Sequence, residues 1–470
     1  MTGAYGLMIV AAVGVFFLIR AYGQTLTAAA PEGEGQASSV GVSSSADVFL
    51  HVLLALAAVV VAGRALSKLF AYLGQPPVIG EVVAGICLGP SLLGWIAPGA
   101  SAYILPASVA PFLGVISQLG IVLYMFLVGL EMNAGHLQER AHATVATSHA
   151  SIIAPFLLGA GLALGLYPRL SSSDVPFTSF ALFMGIAMSI TAFPVLARIL
   201  TDHRMQRTRL GVISLGCAAT DYVTAWCLLA LVVGVAQSKI DGAFVVAVLT
   251  FAYVGFMFLV VRPIAKRFVA RYDKTHVSRT ILAVALVAML LSSLATEWIG
   301  IHAIFGAFLL GLVIPHDSAI ARTLTARLQD LVTVLFLPAF FAFAGMRTQI
   351  GLVSGLENWL ICGLIILVAT AGKFGGSCLG ARLTGLDWRE SAQLGVLMNT
   401  RGLMELIVLN IGLDLKVISP TLFAMMVIMA LVTTMGTGPA LRMLSPKPAA
   451  EASAIPDQDY QPDLARAGCG

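Results

Sequence analysis

Asp221 lies in the middle of an apolar, membrane-length stretch, residues 210–234 (LGVISLGCAATDYVTAWCLLALVVG), and the chain carries two cations, Lys373 and Arg401, inside similar stretches. A carboxylate in hydrocarbon is costly unless it is paired or faces water, so it marks an ion or substrate path rather than packing. Tyr222 follows it directly. A carboxyl group, with a reference pKa of about 4, is brought by burial into the range where it trades a proton for a cation, whereas a phenol starts at about 10 and is pushed further up. Tyr222 therefore offers a cation only a dipole. Asp221, Tyr222 and Lys373 form the candidate proton-coupling or ion-binding set.

The elements that must hold these residues are membrane helices. Of the 470 residues, 59% are hydrophobic and 11% charged, which a soluble domain with a polar surface cannot accommodate. Apolar runs of membrane-spanning length predict an all-α polytopic membrane protein. We count about thirteen core spans between Asp47 and Leu441, with one more near the N-terminus. The organisation expected is an extra N-terminal transmembrane helix (1–23), a Gly/Ser/Ala-rich flexible linker (24–46), the membrane domain (47–443) and a short proline-containing cytoplasmic tail (444–470) without room for a nucleotide-binding regulatory domain. Residues 1–20 lack the basic region of a signal peptide. The six cysteines have no CxxC-like spacing and lie mostly in spans, so they read as packing residues; no disulfide framework, metal site or cofactor is expected, nor a nucleic-acid partner.

Lysine and arginine give the orientation, because cytoplasmic loops are enriched in them. One set of alternate loops holds nineteen, among them Arg198, Arg204, Arg207 and Arg209; the other holds four, Arg169, Lys239, Arg347 and Lys416. The asymmetry places the C-terminus in the cytoplasm. With fourteen spans the N-terminus is there too, in a multi-pass protein of the cell membrane.

Two spans in comparable places of the two halves contain helix breakers. In residues 180–198 Pro194 removes a backbone donor, and in residues 391–409 the Asn399-Thr400-Arg401-Gly402 segment interrupts an apolar run. Pro194 alone is equally a simple kink. Paired breaks beside a buried carboxylate point instead to the substrate site of an inverted-repeat transporter, where irregular backbone lines a cavity.

The motifs are long enough to carry a family likeness. Residues 75–91 (QPPVIGEVVAGICLGPS), 127–133 (LVGLEMN), 191–198 (TAFPVLAR), 296–308 (TEWIGIHAIFGAF) and 398–405 (MNTRGLME) resemble the second subgroup of monovalent cation:proton antiporters, and the likeness runs over nearly the whole interval from Leu50 to Leu441. The resemblance implies a homodimer, each protomer divided into a panel domain and a moving core domain with two broken helices that cross near mid-membrane. It implies that Asp221 pairs with Lys373. It also implies a second aspartate at the position of Tyr222, the residue that in the family binds cation and proton in turn, so here the pairing couple is kept while the ion-binding position holds a phenol.

The remaining candidates are Thr191, Asn399, Arg401, Glu405 and Glu131. Arg401 and Glu405 are four residues apart, on one helical face, which suits an internal ion pair; Arg401 is also placed to neutralise dipole ends at the crossing. Thr191 either supplies oxygen ligands or back-bonds within a kinked helix. Glu131 either lines a cytoplasmic funnel or ends a helix in headgroups. Glu81 is expected near the cytoplasmic interface, and Glu297 and His302 in a hydrated outer loop. Three functions stay open: an exchanger or exporter of sodium, potassium or another small cationic solute coupled to protons, a membrane-embedded enzyme using Asp221, Tyr222 and Lys373 on a lipophilic substrate, and a non-transporting subunit.

Overall fold

The computed structural model describes residues 2–26, 45–106, 108–131, 141–202, 205, 208–237, 240–272 and 278–444. An isolated apolar segment in lipid satisfies all its own backbone groups only as a helix, and the described residues are nearly all helical. In chain order these are α1 (Thr2–Gly23), α2 (Ser45–Tyr72), α3 (Pro77–Leu88), the short α4 (Leu93–Ile96) and α5 (Pro98–Ile104), α6 (Ala110–Glu131), α7 (Ala141–Leu170), α8 (Phe177–Ser189), α9 (Phe193–Asp202), α10 (Arg209–Gln237), α11 (Ile240–Phe256), α12 (Arg262–Tyr272), α13 (Arg279–Ile299), α14 (Ala303–Val313), α15 (Ala319–Leu331), α16 (Leu337–Arg347), α17 (Gly355–Leu383), α18 (Trp388–Met398), α19 (Leu403–Asp414) and α20 (Pro420–Leu444). Five-residue π-helical segments join α11 to α12 and α15 to α16. Among the described residues ten helices are long and apolar enough to cross a membrane. The larger sequence count also includes the two broken pairs, α10 and the short α14. The linker and the tail expected from the sequence lie almost wholly outside the described residues.

The helices sort into two bundles, each drawn from both halves of the chain. α2, α3 and α6 pack with α13, α14 and α16; α7, α8/α9 and α10 pack with α17, α18/α19 and α20. α11 and α12 lie between these sets in sequence. α1 leans on the second bundle, against α7 and α8, where the ring of Phe16 stands 5.7 Å from that of Phe156.

In the second bundle the closest approach is set by small residues. Gly372, Gly376 and Gly380 repeat every four residues along α17 and face α7; a Cβ at Gly376 would lie 2.5 Å from the Ala150 carbonyl oxygen, and one at Gly372 would lie 2.8 Å from the Pro155 Cα. Such a stripe lets two backbones meet where lipid gives no hydrophobic drive for association. Its consequence is positional, because Lys373 follows Gly372 and is carried against α7.

Both expected breaks are present. α8 stops at Ser189 and α9 begins at Phe193, so Pro194 lies in the first turn of the second half-helix, where its missing N–H is no loss. It starts a helix rather than kinking one. α18 stops at Met398 and α19 starts at Leu403, after a Gly402 in extended backbone. The two breaks are stitched together, as the Ala192 N–H donates to the Thr400 carbonyl at 3.0 Å.

On the side poor in lysine and arginine the bundles are joined by charge. Arg347, the last residue of α16, lies 2.6 Å from Asp414 at the end of α19 and donates to Asn410 Oδ1 at 3.2 Å.

Candidate functional site

The C-terminal end of α8 leaves carbonyls without intrahelical partners in the middle of the bundle, a concentration of negative dipole that needs cations. Two supply it. Arg401 donates to the Ala187 carbonyl at 2.8 Å and the Met188 carbonyl at 2.6 Å, and Lys373 donates to the Ser189 carbonyl at 2.6 Å. Three successive carbonyls are thus covered by side chains from α17 and from the second break. At the end of α18 the Thr191 hydroxyl reaches the Met398 carbonyl at 3.1 Å and the Thr400 hydroxyl reaches the Leu397 carbonyl at 2.7 Å.

Asp221 stands beside this crossing with no exposure to solvent, and neither has Lys373. Lys373 Nζ lies 2.8 Å from Asp221 Oδ2. The carboxylate is otherwise held by hydroxyls. Ser148 donates to Oδ1, Ser151 donates to Oδ2 at 2.6 Å, and Thr191 shares its single proton between Oδ2, at 3.1 Å, and Met398. A buried ion pair is tolerated only when further hydrogen bonds satisfy its remaining lone pairs and protons. Here they do.

Arg401 and Glu405, both fully buried, form the i,i+4 pair expected from the sequence, at 2.8 Å. Thr191 is not back-bonded within its own helix, because the chain has left helical geometry there and turns the hydroxyl toward Asp221. Asn399 caps α18 through its backbone and leaves its buried Oδ1 without a partner. Glu131 is exposed at the end of α6, in the other bundle. Glu81, on α3, is half-buried and receives the Ser67 hydroxyl at 3.4 Å. Glu297 is not merely hydrated: it accepts the Ala303 N–H at 2.7 Å and so caps α14, while His302 takes left-handed backbone, φ 78°, and buries its Nδ1. The backbone of Tyr222 follows Asp221 in α10. Its side chain lies outside the described residues.

Sequence reasoning missed Ser148, Ser151 and Ser189. The signal was a serine pair at i,i+3 in an otherwise apolar helix, which puts two hydroxyls on one face.

The chain's residues 54–446 match the model of the sodium/hydrogen exchanger transmembrane family. It is 43% identical over 406 residues to the Na(+)/H(+) antiporter NhaS4 of Synechocystis, which covers 86% of this chain and 99% of that protein. It is 38% identical to cation/H(+) antiporter 20 of Arabidopsis thaliana, over 84% of this chain and 48% of that one, and 33% identical to K(+)/H(+) antiporter 1 of Saccharomyces cerevisiae, over 80% and 44%. The chain therefore spans about half the length of the plant and yeast relatives. In fold it is similar to the sodium proton antiporter MjNhaP1 of Methanocaldococcus jannaschii, with a TM-score of 0.62 at 16% identity, covering 84% of this chain and 98% of that one. These findings do not favour the enzyme or the non-transporting subunit. With its apolar helices and two broken crossing segments, the chain is a multi-pass membrane protein that belongs to the sodium/hydrogen exchanger family.

Proposed function

We propose that this protein exchanges a monovalent cation for a proton by alternating access, with the Asp221–Lys373 pair as the coupling group and Tyr222 as a neutral neighbour. The observation that carries the reading is the burial of that pair beside the crossing of two broken helices. One carboxylate suffices for antiport if cation and proton use the pair in turn, since each then excludes the other. Thr191, next to Asp221, belongs to the same site; Arg401 and Glu405 hold the crossing, Asn399 edges it, and Glu131 lines the approach from the cytoplasm. Further parts of the reading are a cell-membrane location, cytoplasmic termini, an N-terminal helix over 1–23 joined by a linker over 24–46 to a membrane domain over 47–443, and a homodimer.

The test is cation-induced dissipation of an imposed proton gradient in proteoliposomes. The native protein should dissipate it and Asp221→Asn should not. A silent native protein with exchange appearing in Tyr222→Asp would mean that the scaffold has given up transport with its second carboxylate.

A further inference from the structure

α12, Arg262–Tyr272 (RPIAKRFVARY), carries four cations and no acidic residue in eleven positions. At about 100° per residue, Arg262, Lys266, Arg267 and Arg271 fall on one half of the helix circumference, and Ala265, Phe268, Val269 and Tyr272 on the other. Burial follows the same division. Val269 is buried and Phe268 half-buried against the protein, while Lys266, Arg267 and Arg271 are exposed. Among the described residues none of the four cations forms an ion pair. Arg262 lies over the Phe258 ring and Arg271 over the Tyr272 ring, each at 6.0 Å, so these contacts stay within the same helical segment. Other cations of the same set of loops are engaged by the protein: Arg382 donates to the Leu386 carbonyl at 2.8 Å and Arg389 to the Leu444 carbonyl at 2.9 Å. Charge that only sets topology needs no sorting onto one face of a helix, and here it is sorted.

The position of α12 says what this face meets. The chain enters α12 from α11 through the π-helical segment without leaving helical backbone. Along that one rod the exposed side chains are first apolar, Phe251, Phe256, Leu259 and Val260, and then basic. An outward surface that turns from apolar to cationic within a few residues puts the cations where hydrocarbon ends and headgroups begin. We propose that the basic face of α12 is a docking surface for anionic phospholipids, whose phosphate groups supply the counter-charge that the protein itself does not. Such docking is independent of what the protein transports. It is mechanically tied to the fold, because the Tyr253 hydroxyl of α11 lies 2.6 Å from Ser292 Oγ on α13, and Ser292 Oγ in turn donates to the Gly306 carbonyl of α14 at 2.6 Å. A lipid held by α12 is therefore held against the first bundle and stabilises the folded protein, as any ligand of the native state does.

The test is thermal unfolding of the full chain in a neutral detergent, titrated with phosphatidylglycerol, with zwitterionic phosphatidylcholine and with inorganic phosphate at equal ionic strength. Phosphatidylglycerol should raise the melting temperature of the native protein, and the other two should not. Each cation near an anionic surface strengthens the attraction about fivefold. Removing three exposed ones, in Lys266→Gln with Arg267→Gln and Arg271→Gln, should therefore raise the half-maximal phosphatidylglycerol concentration at least about tenfold. Glutamine keeps the helix, and the exposed positions leave the packed face untouched. A control on α15, Arg322→Gln with Arg327→Gln, should leave the half-maximal concentration as in the native chain. The docking surface is overturned by a native protein that does not respond to phosphatidylglycerol, by an equal response to phosphatidylcholine or to inorganic phosphate, by a triple variant that responds like the native protein, or by a control that loses as much as the triple variant.

Discussion

Lys373 and Arg401 neutralise the same helix end with different chemistry, and the difference assigns their roles. The planar guanidinium of Arg401 spans two carbonyls and Glu405 at once in a fixed fork. The ammonium of Lys373 is a point charge on a flexible stem, in contact with the carboxylate proposed to couple transport. Arg401 thus reads as structural and Lys373 as exchangeable. Replacing Arg401 by Leu leaves the fully buried Glu405 without its partner, at a cost of about 3–5 kcal/mol; Arg401→Leu together with Glu405→Leu should recover most of it. Thermal unfolding in detergent compares the two, and a double variant no more stable than the single one would contradict a structural pair. The charged members of the site were legible because charge in an apolar run is conspicuous. Ser148 and Ser151 were not, since a membrane-helix serine often bonds its own backbone, and only the docking of α7 against α10 and α17 turns these two toward Asp221.

The glycine stripe of α17 works at the scale of the element. A Cβ at Gly376 meets the α7 backbone, while one at Gly375 meets nothing within 4 Å. Gly376→Val should therefore separate the helices and cost on the order of 1–3 kcal/mol or more, as overpacking does. Gly375→Ala should be neutral or slightly stabilising. The pair of variants separates close approach from helix propensity, and equal losses of melting temperature would refute the packing account. The positions of both breaks were readable from Pro194 and from the Asn399 to Gly402 run. The hydrogen bond that ties them, Ala192 to Thr400, was not, because backbone polar groups carry no signature in residue type.

At the scale of the molecule, hydropathy gives the helices and their number approximately, and the charge asymmetry of the loops predicts a sidedness. Neither gives the partition into two bundles. That rests on which faces carry small residues and which helices they meet, information spread over both halves of the chain; from sequence it was available only through the resemblance. If the Asp221–Lys373 pair exchanges one cation for one proton, the cycle moves no net charge. Setting the membrane potential of the vesicles with a gradient of a membrane-permeant anion such as thiocyanate should then leave the exchange rate unchanged, and a rate that follows the potential would contradict that stoichiometry.

The ion pair between Arg347 and Asp414 joins the two bundles on one side only, and its side chains are 24% and 43% exposed. If the bundles slide past one another, this bond exists in one conformer and is broken in the other. It therefore acts as a bias on the resting ratio of inward-open to outward-open molecules, worth up to about 1 kcal/mol at such exposure, or roughly fivefold in that ratio. Because both groups touch water, the bias should weaken as ionic strength rises. Arg347→Gln should then mimic high salt, altering accessibility to a membrane-impermeant thiol reagent from the two sides while leaving the order of preferred cations unchanged.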